Sequence, residues 1–383
     1  MSLRARSLAI FLLSGLLASA EIVRGQPAAP ASNSPAVKPS NERKLTLPDT
    51  PYRYADIELP AHFKTPAAQR LDNTPRDNRI TDAGATLGRV LFYDTRLSSS
   101  NNTACAACHN QKHAFVDPNR FSKGHQGKLT DRHAPSLVDL RYYQRGRFFW
   151  DERAPTLEAQ VLMPIQSKLE MGNTLTALMD TLIKDAHYPN LFEKAFGSQE
   201  ITAERTAKAL AQFLRSMVSY QSKYDEGLTK ARVVRVDFPN YTSAENRGKT
   251  LFLDRCANCH MSGGQSAHFF MNRPLNNGLD SEVRKTDGGV GDLSLNPAQV
   301  GLFKSPSLRN VEFTGPYMHD GRFKTLEEVI DHYSAGVKQH PNRDGRVRNF
   351  NFDRSQKAAL VAFLKTLSDP AFISDPKFSD PFK

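Results

Sequence analysis

One five-residue pattern occurs twice and constrains this chain more than any other feature. Cys105-Ala106-Ala107-Cys108-His109 and Cys256-Ala257-Asn258-Cys259-His260 both read CxxCH. At that spacing, two thiols can add to the vinyl groups of one haem while the histidine ligates its iron. A lone CxxC also reads as a redox dithiol or half of a zinc site. Two copies, each followed by histidine, point instead to two covalently bound c-type haems. The motifs use all four cysteines of the chain and leave none for a disulfide.

A length of 383 residues allows two ordinary domains. Arg4 and Arg6 precede an apolar run from Leu8 to Leu17, and Ala18-Ser19-Ala20 supplies small residues. Residues 1–20 therefore read as a secretory signal peptide. The run is too short to span a bilayer, so no stable membrane span is expected after cleavage. Residues 26–44 are rich in Pro, Ala, Ser and Asn and read as flexible leader. A periplasmic location is expected, because c-type haem is attached outside the cytoplasm. The formal net charge of +11 suits docking of an acidic partner as well as a plain solvated surface. No basic helix or aromatic-basic stripe suggests nucleic acid.

The chain also repeats itself. Leu87-Gly88-Arg89-Val90-Leu91-Phe92-Tyr93-Asp94 precedes the first motif, and Arg247-Gly248-Lys249-Thr250-Leu251-Phe252-Leu253-Asp254 the second. Asp151-Glu152-Arg153-Ala154-Pro155-Thr156-Leu157-Glu158 matches Asp320-Gly321-Arg322-Phe323-Lys324-Thr325-Leu326-Glu327. Thr242 with Glu245 and Thr325 with Glu328 read as capping boxes. Leu326, Val329, Ile330 and Tyr333 follow helical spacing. Leu210, Phe213, Leu214, Met217 and Val218 mark a helix closing the first half. Leu360, Phe363, Leu364 and Leu367 mark one closing the second. No alternation is long enough to propose a sheet. The expectation is an all-α fold of two cytochrome c-like haem domains packed around an inter-haem interface. Their bounds are 75–235 and 236–371, with a leader and surface-wrapping segment at 21–74 and a tail at 372–383.

Each iron has one histidine, and the sixth position decides its chemistry. Tyr333 lies eight residues after Thr325; its counterpart, eight after Thr156, is Pro164, which cannot ligate iron. The repeat thus predicts an open first haem and a closed second one. Tyr333 competes as ligand with Met318, Met271 and Met261, and ordinary core packing is the plain alternative for it. Near the open haem stand Gln160 and Glu170, a hydrogen-bonding amide and a carboxylate able to move protons; as surface residues they would do neither. Trp150, the single tryptophan, is either core or an electron bridge between the haems.

These runs resemble the bacterial di-haem cytochrome c peroxidase and MauG superfamily over roughly residues 80–370. The resemblance rests on both CxxCH motifs, on 148–172 (FFWDERAPTLEAQVLMPIQSKLEMG) and on 304–336 (KSPSLRNVEFTGPYMHDGRFKTLEEVIDHYSAG). It implies that Trp150 lies between the haems and that Gln160 and Glu170 are the distal pair of the peroxidatic haem. It places Pro164 over that haem and implies that the carbonyls of Thr314 and Pro316 bind an inter-haem calcium ion. Three positions depart from the peroxidases. Tyr333 stands where they carry a ligating methionine, as in MauG. His133 replaces the asparagine of the calcium site, and imidazole suits a hard cation poorly. His125 falls where some members carry a histidine that blocks the peroxidatic haem, though the loop around it matches badly and a surface histidine is the alternative.

The resulting expectation is an exported haem enzyme that reduces hydrogen peroxide at its first haem and shares the oxidising equivalents with a His/Tyr haem. Its use is MauG-like oxidation of aromatic residues in a partner protein, slightly favoured. The alternatives are peroxide removal, fed by a small cytochrome c or cupredoxin, and a non-catalytic electron carrier.

Overall fold

In each half a long helix before the CxxCH turn crosses a long helix near the end of that half. The computed structural model describes residues 44–261, 268–281 and 287–383. The expected signal peptide and most of the leader lie outside the described residues. Helix α1, Asp82–Tyr93, starts where the Thr81 hydroxyl accepts the Gly84 N–H. The one-turn α2 is Cys105–Cys108. Helix α3, Leu157–Gln166, is capped by Thr156, and α4, Ala203–Ser216, by Thr202. The second half runs in the same order: α5, Ser243–Arg255; α6, Ala257–His260; α7, Leu326–Asp331; and α8, Arg354–Lys365.

The repeated glycine explains the repeated crossing. A Cβ on Gly88 of α1 would stand 2.1 Å from the Ala209 carbonyl oxygen of α4. A Cβ on Gly248 of α5 would stand 1.9 Å from the Ala359 carbonyl oxygen of α8. Only glycine lets the two backbones come this close. Phe213 in the first half and Phe363 in the second lie beside these contacts and are fully buried. Around each crossing grows one apolar core: Leu87, Leu91, Leu210 and Phe213 belong to the first, Phe252, Leu360, Phe363 and Leu364 to the second. Arg215 of α4 holds Glu158 of α3 at 2.5 and 3.1 Å, which fixes α3 against the first crossing.

A third cluster joins Phe63 and Leu71 of the wrapping segment with Tyr142 and Val218 of the first half and Phe270 of the second. Beside it Arg309 reaches Asp225 with two bonds of 2.8 Å and lies 5.0 Å from the Phe63 ring. The C-terminal segment enters the first core rather than only covering a surface: Phe372, Phe378 and Phe382 are buried there. Lys44 and Lys383 close this wrap with reciprocal backbone bonds of 2.9 Å.

Several local expectations change. A short antiparallel pair forms between β1, Asn272–Leu275, and β2, Phe303–Ser305. Strands this short leave no period-two pattern in the sequence. Helix α4 ends at Ser216 and α8 at Lys365, so Met217, Val218 and Leu367 are buried beyond the helix ends. The capping box at Thr242 and Glu245 is complete. At Thr325 only half of one forms: its hydroxyl accepts the Glu328 N–H, but the Glu328 carboxylate takes the Lys324 amide. After Asp331 the helix widens into a π turn, His332–Gly336, that carries Tyr333.

Gly248→Ala should force the α5–α8 crossing apart and cost about 1–3 kcal/mol, read as a lower chemical-denaturation midpoint. The same change at Gly345, which has open space around its Cβ position, should leave the midpoint near that of the parent protein.

Candidate functional site

The first CxxCH turn is built to present its histidine. Ala114 and Phe115 are both left-handed, at φ 49° and 60°. That turn aims the Phe115 carbonyl at His109, whose Nδ1–H donates to it at 2.8 Å. Nδ1 is thereby fixed as the protonated nitrogen, and Nε2 keeps its lone pair for a metal. Burial lowers the His109 pKa against the opposing pull of this bond, which favours the neutral, ligating form. Burial likewise pushes the Cys105 and Cys108 thiols up to about 12.

Helix α3 and the turn after it carry the residues expected at this site, of which Glu170 acts on both thiols. Gln160 and Pro164 lie one turn apart on α3, flanking the buried Leu157, Val161 and Ile165. Pro164 has no N–H, so the Gln160 carbonyl receives no helical bond from it. The chain then folds back: Glu170 N–H donates to Ser167 O at 3.0 Å, and Met171 N–H to Pro164 O at 3.2 Å. This turn holds Glu170 half-buried and close enough to raise the thiol pKa of both Cys105 and Cys108 by its charge. Burial raises the Glu170 pKa, opposed by Arg153 and the Ser167 hydroxyl. The loop carrying His125 clamps the turn from outside, its amide donating to Glu170 O at 2.8 Å. The His125 ring is engaged on two sides. Nδ1 meets the hydroxyls of Ser99 and Ser100 at 3.1 and 3.0 Å, and Nε2 faces Gly172, where a Cβ would stand 2.3 Å away. That placement suits the surface-loop alternative.

The second site is a cavity of ≈ 470 Å³, a size typical of cofactor pockets. Cys256, Cys259, His260, Phe252, Met318 and Tyr333 are among its lining residues. Leu326, Val329 and Ile330 line it too, so the expected face of α7 does turn inward. The π turn beyond α7 carries Tyr333 into the same wall, an arrangement frequent at functional sites. Burial pushes the Tyr333 phenol up to about 12. Asn277, which no sequence signal marked, reaches both the Tyr333 hydroxyl and the Met318 sulfur at 3.5 Å. Met271 belongs to the first core instead, and Met261 packs against the second. Of the competing ligands, Tyr333 and Met318 are the two on the cavity wall. His260 Nδ1 is buried without a partner among the described residues, and burial lowers its pKa to about 4. The spacing that gives His109 its carbonyl lands here on Ser266, outside the described residues.

Trp150 lines this cavity while its own chain leads directly into α3. It is buried, and its indole N–H donates to His133 O at 2.8 Å. His133 lines the cavity with Thr314 and Pro316. Its Nε2 bonds the Asp117 carbonyl at 2.8 Å and so acts as a donor there. A nitrogen committed in that way does not serve a hard cation. No cluster of three or more His, Cys, Asp or Glu suited to a metal ion occurs among the described residues. At His133 the side chain offers calcium no oxygen, which leaves the Thr314 and Pro316 carbonyls as its expected donors.

The haem positions fit. Each has two cysteines at i, i+3, an adjacent buried-side histidine with a low pKa, and apolar walls; the second has the cavity as well. Haem bound there supplies an iron that exchanges single electrons and, with a free coordination position, activates small molecules. Fold and sites together define a di-haem c-type oxidoreductase. The comparisons agree. A family model described as di-haem cytochrome c peroxidase matches residues 82–232, and one described as cytochrome c matches 245–368. Methylamine utilization protein MauG of Methylorubrum extorquens is 33% identical over 83% of this chain and 87% of its own length. Cytochrome c551 peroxidase of Nitrosomonas europaea is 32% identical over 74% of this chain and 79% of its own. The crystal structure of a MauG-like protein associated with microbial copper homeostasis superposes with a TM-score of 0.73 at 33% identity, covering 81% of this chain and 96% of that one. The chain belongs to the di-haem cytochrome c peroxidase and MauG family and is a haem-dependent oxidoreductase.

Two substitutions on the cavity wall separate the ligand candidates. Tyr333→Phe should alter the low-spin ferric signal of the holoprotein in low-temperature EPR and leave any high-spin signal in place. Met318→Leu should leave both as they are.

Proposed function

We propose that this is an exported, periplasmic peroxide-using enzyme whose two haem sites have different tasks. The observation that carries the reading is the pairing of Pro164 with Tyr333. Both sit eight residues after a capping threonine, on helices that start alike. One offers no donor atom, while the other puts a phenol on the cavity wall. Cys105, Cys108 and His109 would covalently hold the haem at which peroxide is reduced. Cys256, Cys259, His260 and Tyr333 would hold the other.

Reduction of one hydrogen peroxide to two waters takes two electrons and two protons. Glu170 takes a proton from the incoming peroxide and returns it to the departing oxygen; burial raises its pKa above the ordinary carboxylate value. Gln160 donates an amide hydrogen bond that orients the peroxide. Pro164 leaves that face free of competing donors. Trp150 carries the second electron between the sites. The signal peptide assigned to residues 1–20 would export the chain, and among the described residues no helix is long and apolar enough to cross a membrane.

The end use we favour is oxidation of aromatic side chains in a partner protein. A tyrosine oxygen stabilises oxidised iron, which suits the second haem to storing an oxidising equivalent rather than accepting electrons readily. The second reading is peroxide removal, with electrons from a small cytochrome c or cupredoxin. Its support is the Met318 sulfur on the same cavity wall, since a thioether ligand would raise the haem potential. Rapid turnover of peroxide with reduced cytochrome c would favour this second use.

Glu170→Gln should slow the reaction with hydrogen peroxide by about 10²–10⁴-fold in stopped-flow absorbance, with haem content unchanged. The parent protein should lose reactivity as pH falls through the raised Glu170 pKa, above the usual value of about 4.3, because the base form disappears. Glu170→Gln should lack this acid limb; equal rates and equal pH profiles would remove the proton-transfer role.

A further inference from the structure

Lys304 is the unexplained charge nearest the electron path. It is 4% exposed and sits at the centre of β2. Its backbone N–H donates to the Trp150 carbonyl at 2.7 Å, which fixes its approach. Its ammonium donates to the Met271 sulfur at 3.3 Å and lies 5.7 Å from the ring centres of both Tyr143 and Trp150. A thioether is a weak acceptor. The acidic group that acts on Lys304 is Glu152, but Glu152 is already engaged. The Tyr143 hydroxyl donates to its carboxylate, and Arg145 donates to it twice at 2.7 Å. Lys304 also lines the cavity of the second site, and burial lowers its pKa to about 8, which leaves the ammonium form dominant at neutral pH.

Resting on the reading of Trp150 as the bridge, we propose that Lys304 is a positioning residue for electron transfer. Its positive charge keeps Trp150 a relay and prevents the indole from becoming the place where oxidation rests. The electron balance leaves the indole unchanged: one electron leaves Trp150 toward the first site and one replaces it from the second. The oxidant is hydrogen peroxide. A cation at this distance attracts the electron-rich face of the neutral ring and repels the oxidised, cationic one. At an effective dielectric of about 20, one charge at this separation favours neutral indole on the order of a hundredfold.

Because Trp150 is the single tryptophan, ultraviolet resonance Raman of the holoprotein reads its indole directly. Lys304→Met keeps the length and removes the charge; Lys304→Arg keeps the charge. The indole bands should move in Lys304→Met and return in Lys304→Arg. After one equivalent of hydrogen peroxide, freeze-quench EPR of Lys304→Met should show a tryptophan radical more than about tenfold above the parent. Lys304→Arg should return it to the parent level, and adding Trp150→Phe should abolish it. Unmoved bands, no gain in radical, or an arginine variant that behaves like the methionine one would overturn the proposal. Matching haem content and thermal midpoints confirm that the variants fold. Trp150→Phe alone isolates the underlying reading. If inter-haem transfer is undiminished in it, the bridge is wrong. If transfer slows while Lys304→Met matches the parent, only the charge control is wrong.

Discussion

The buried Arg309, with Asp225, Asp139 and His62 around it, is the point where both halves and the wrapping segment meet, and their register depends on it. Arg309 is fully buried and joined to Asp225 by two bonds of 2.8 Å. Desolvating such a pair offsets much of its attraction, so it contributes specificity more than net stability; losing one partner would cost about 3–5 kcal/mol. Asp139 lies 3.7 Å from the Arg309 Nε, and burial pushes it up to about 7. His62, from the wrapping segment, reaches Asp225 at 2.9 Å. Charges from the wrap, the first half and the second half thus meet at one point. A shift of one half against the other would leave several of them buried and unpaired.

That register matters for the proposed bridge, because Trp150 is framed by both halves. Trp150 comes from the first half, yet it lines the cavity of the second. The short strand pairing brings Lys304 to it, and His133 supplies the carbonyl for its indole. Electron passage depends on distance and on the charge around the carrier. For Trp150 both would be set by the hydrogen bonds at its carbonyl and indole N–H, which tolerate little slippage.

The two sites show how one repeated plan gives two environments. Glycine-mediated crossings place each CxxCH turn against its core in the same way. The difference enters at the helix that follows a capping threonine. In the first half it runs on through Pro164 and folds back to deliver Glu170. In the second it widens into a π turn that carries Tyr333 to the cavity wall. One side presents a half-buried carboxylate, and the other a phenol on a cavity wall.

Much of this was readable from the chain. The two CxxCH motifs, the helices that precede them and close each half, the repeat itself and the contrast of Pro164 with Tyr333 follow from local spacing and repetition, because motif chemistry and helical period act over a few residues. The π turn at Tyr333, the two short strands and the C-terminal aromatics in the first core were not readable. Neither was the role of Asn277, nor the burial of Lys304 beside Trp150. Those features depend on contacts between segments far apart in sequence, where burial, and not spacing, decides which side chains meet. The sequence by itself determined what each half can hold; tertiary packing alone decided what lies between them, because the charge and distance along that path come from residues that only folding brings together.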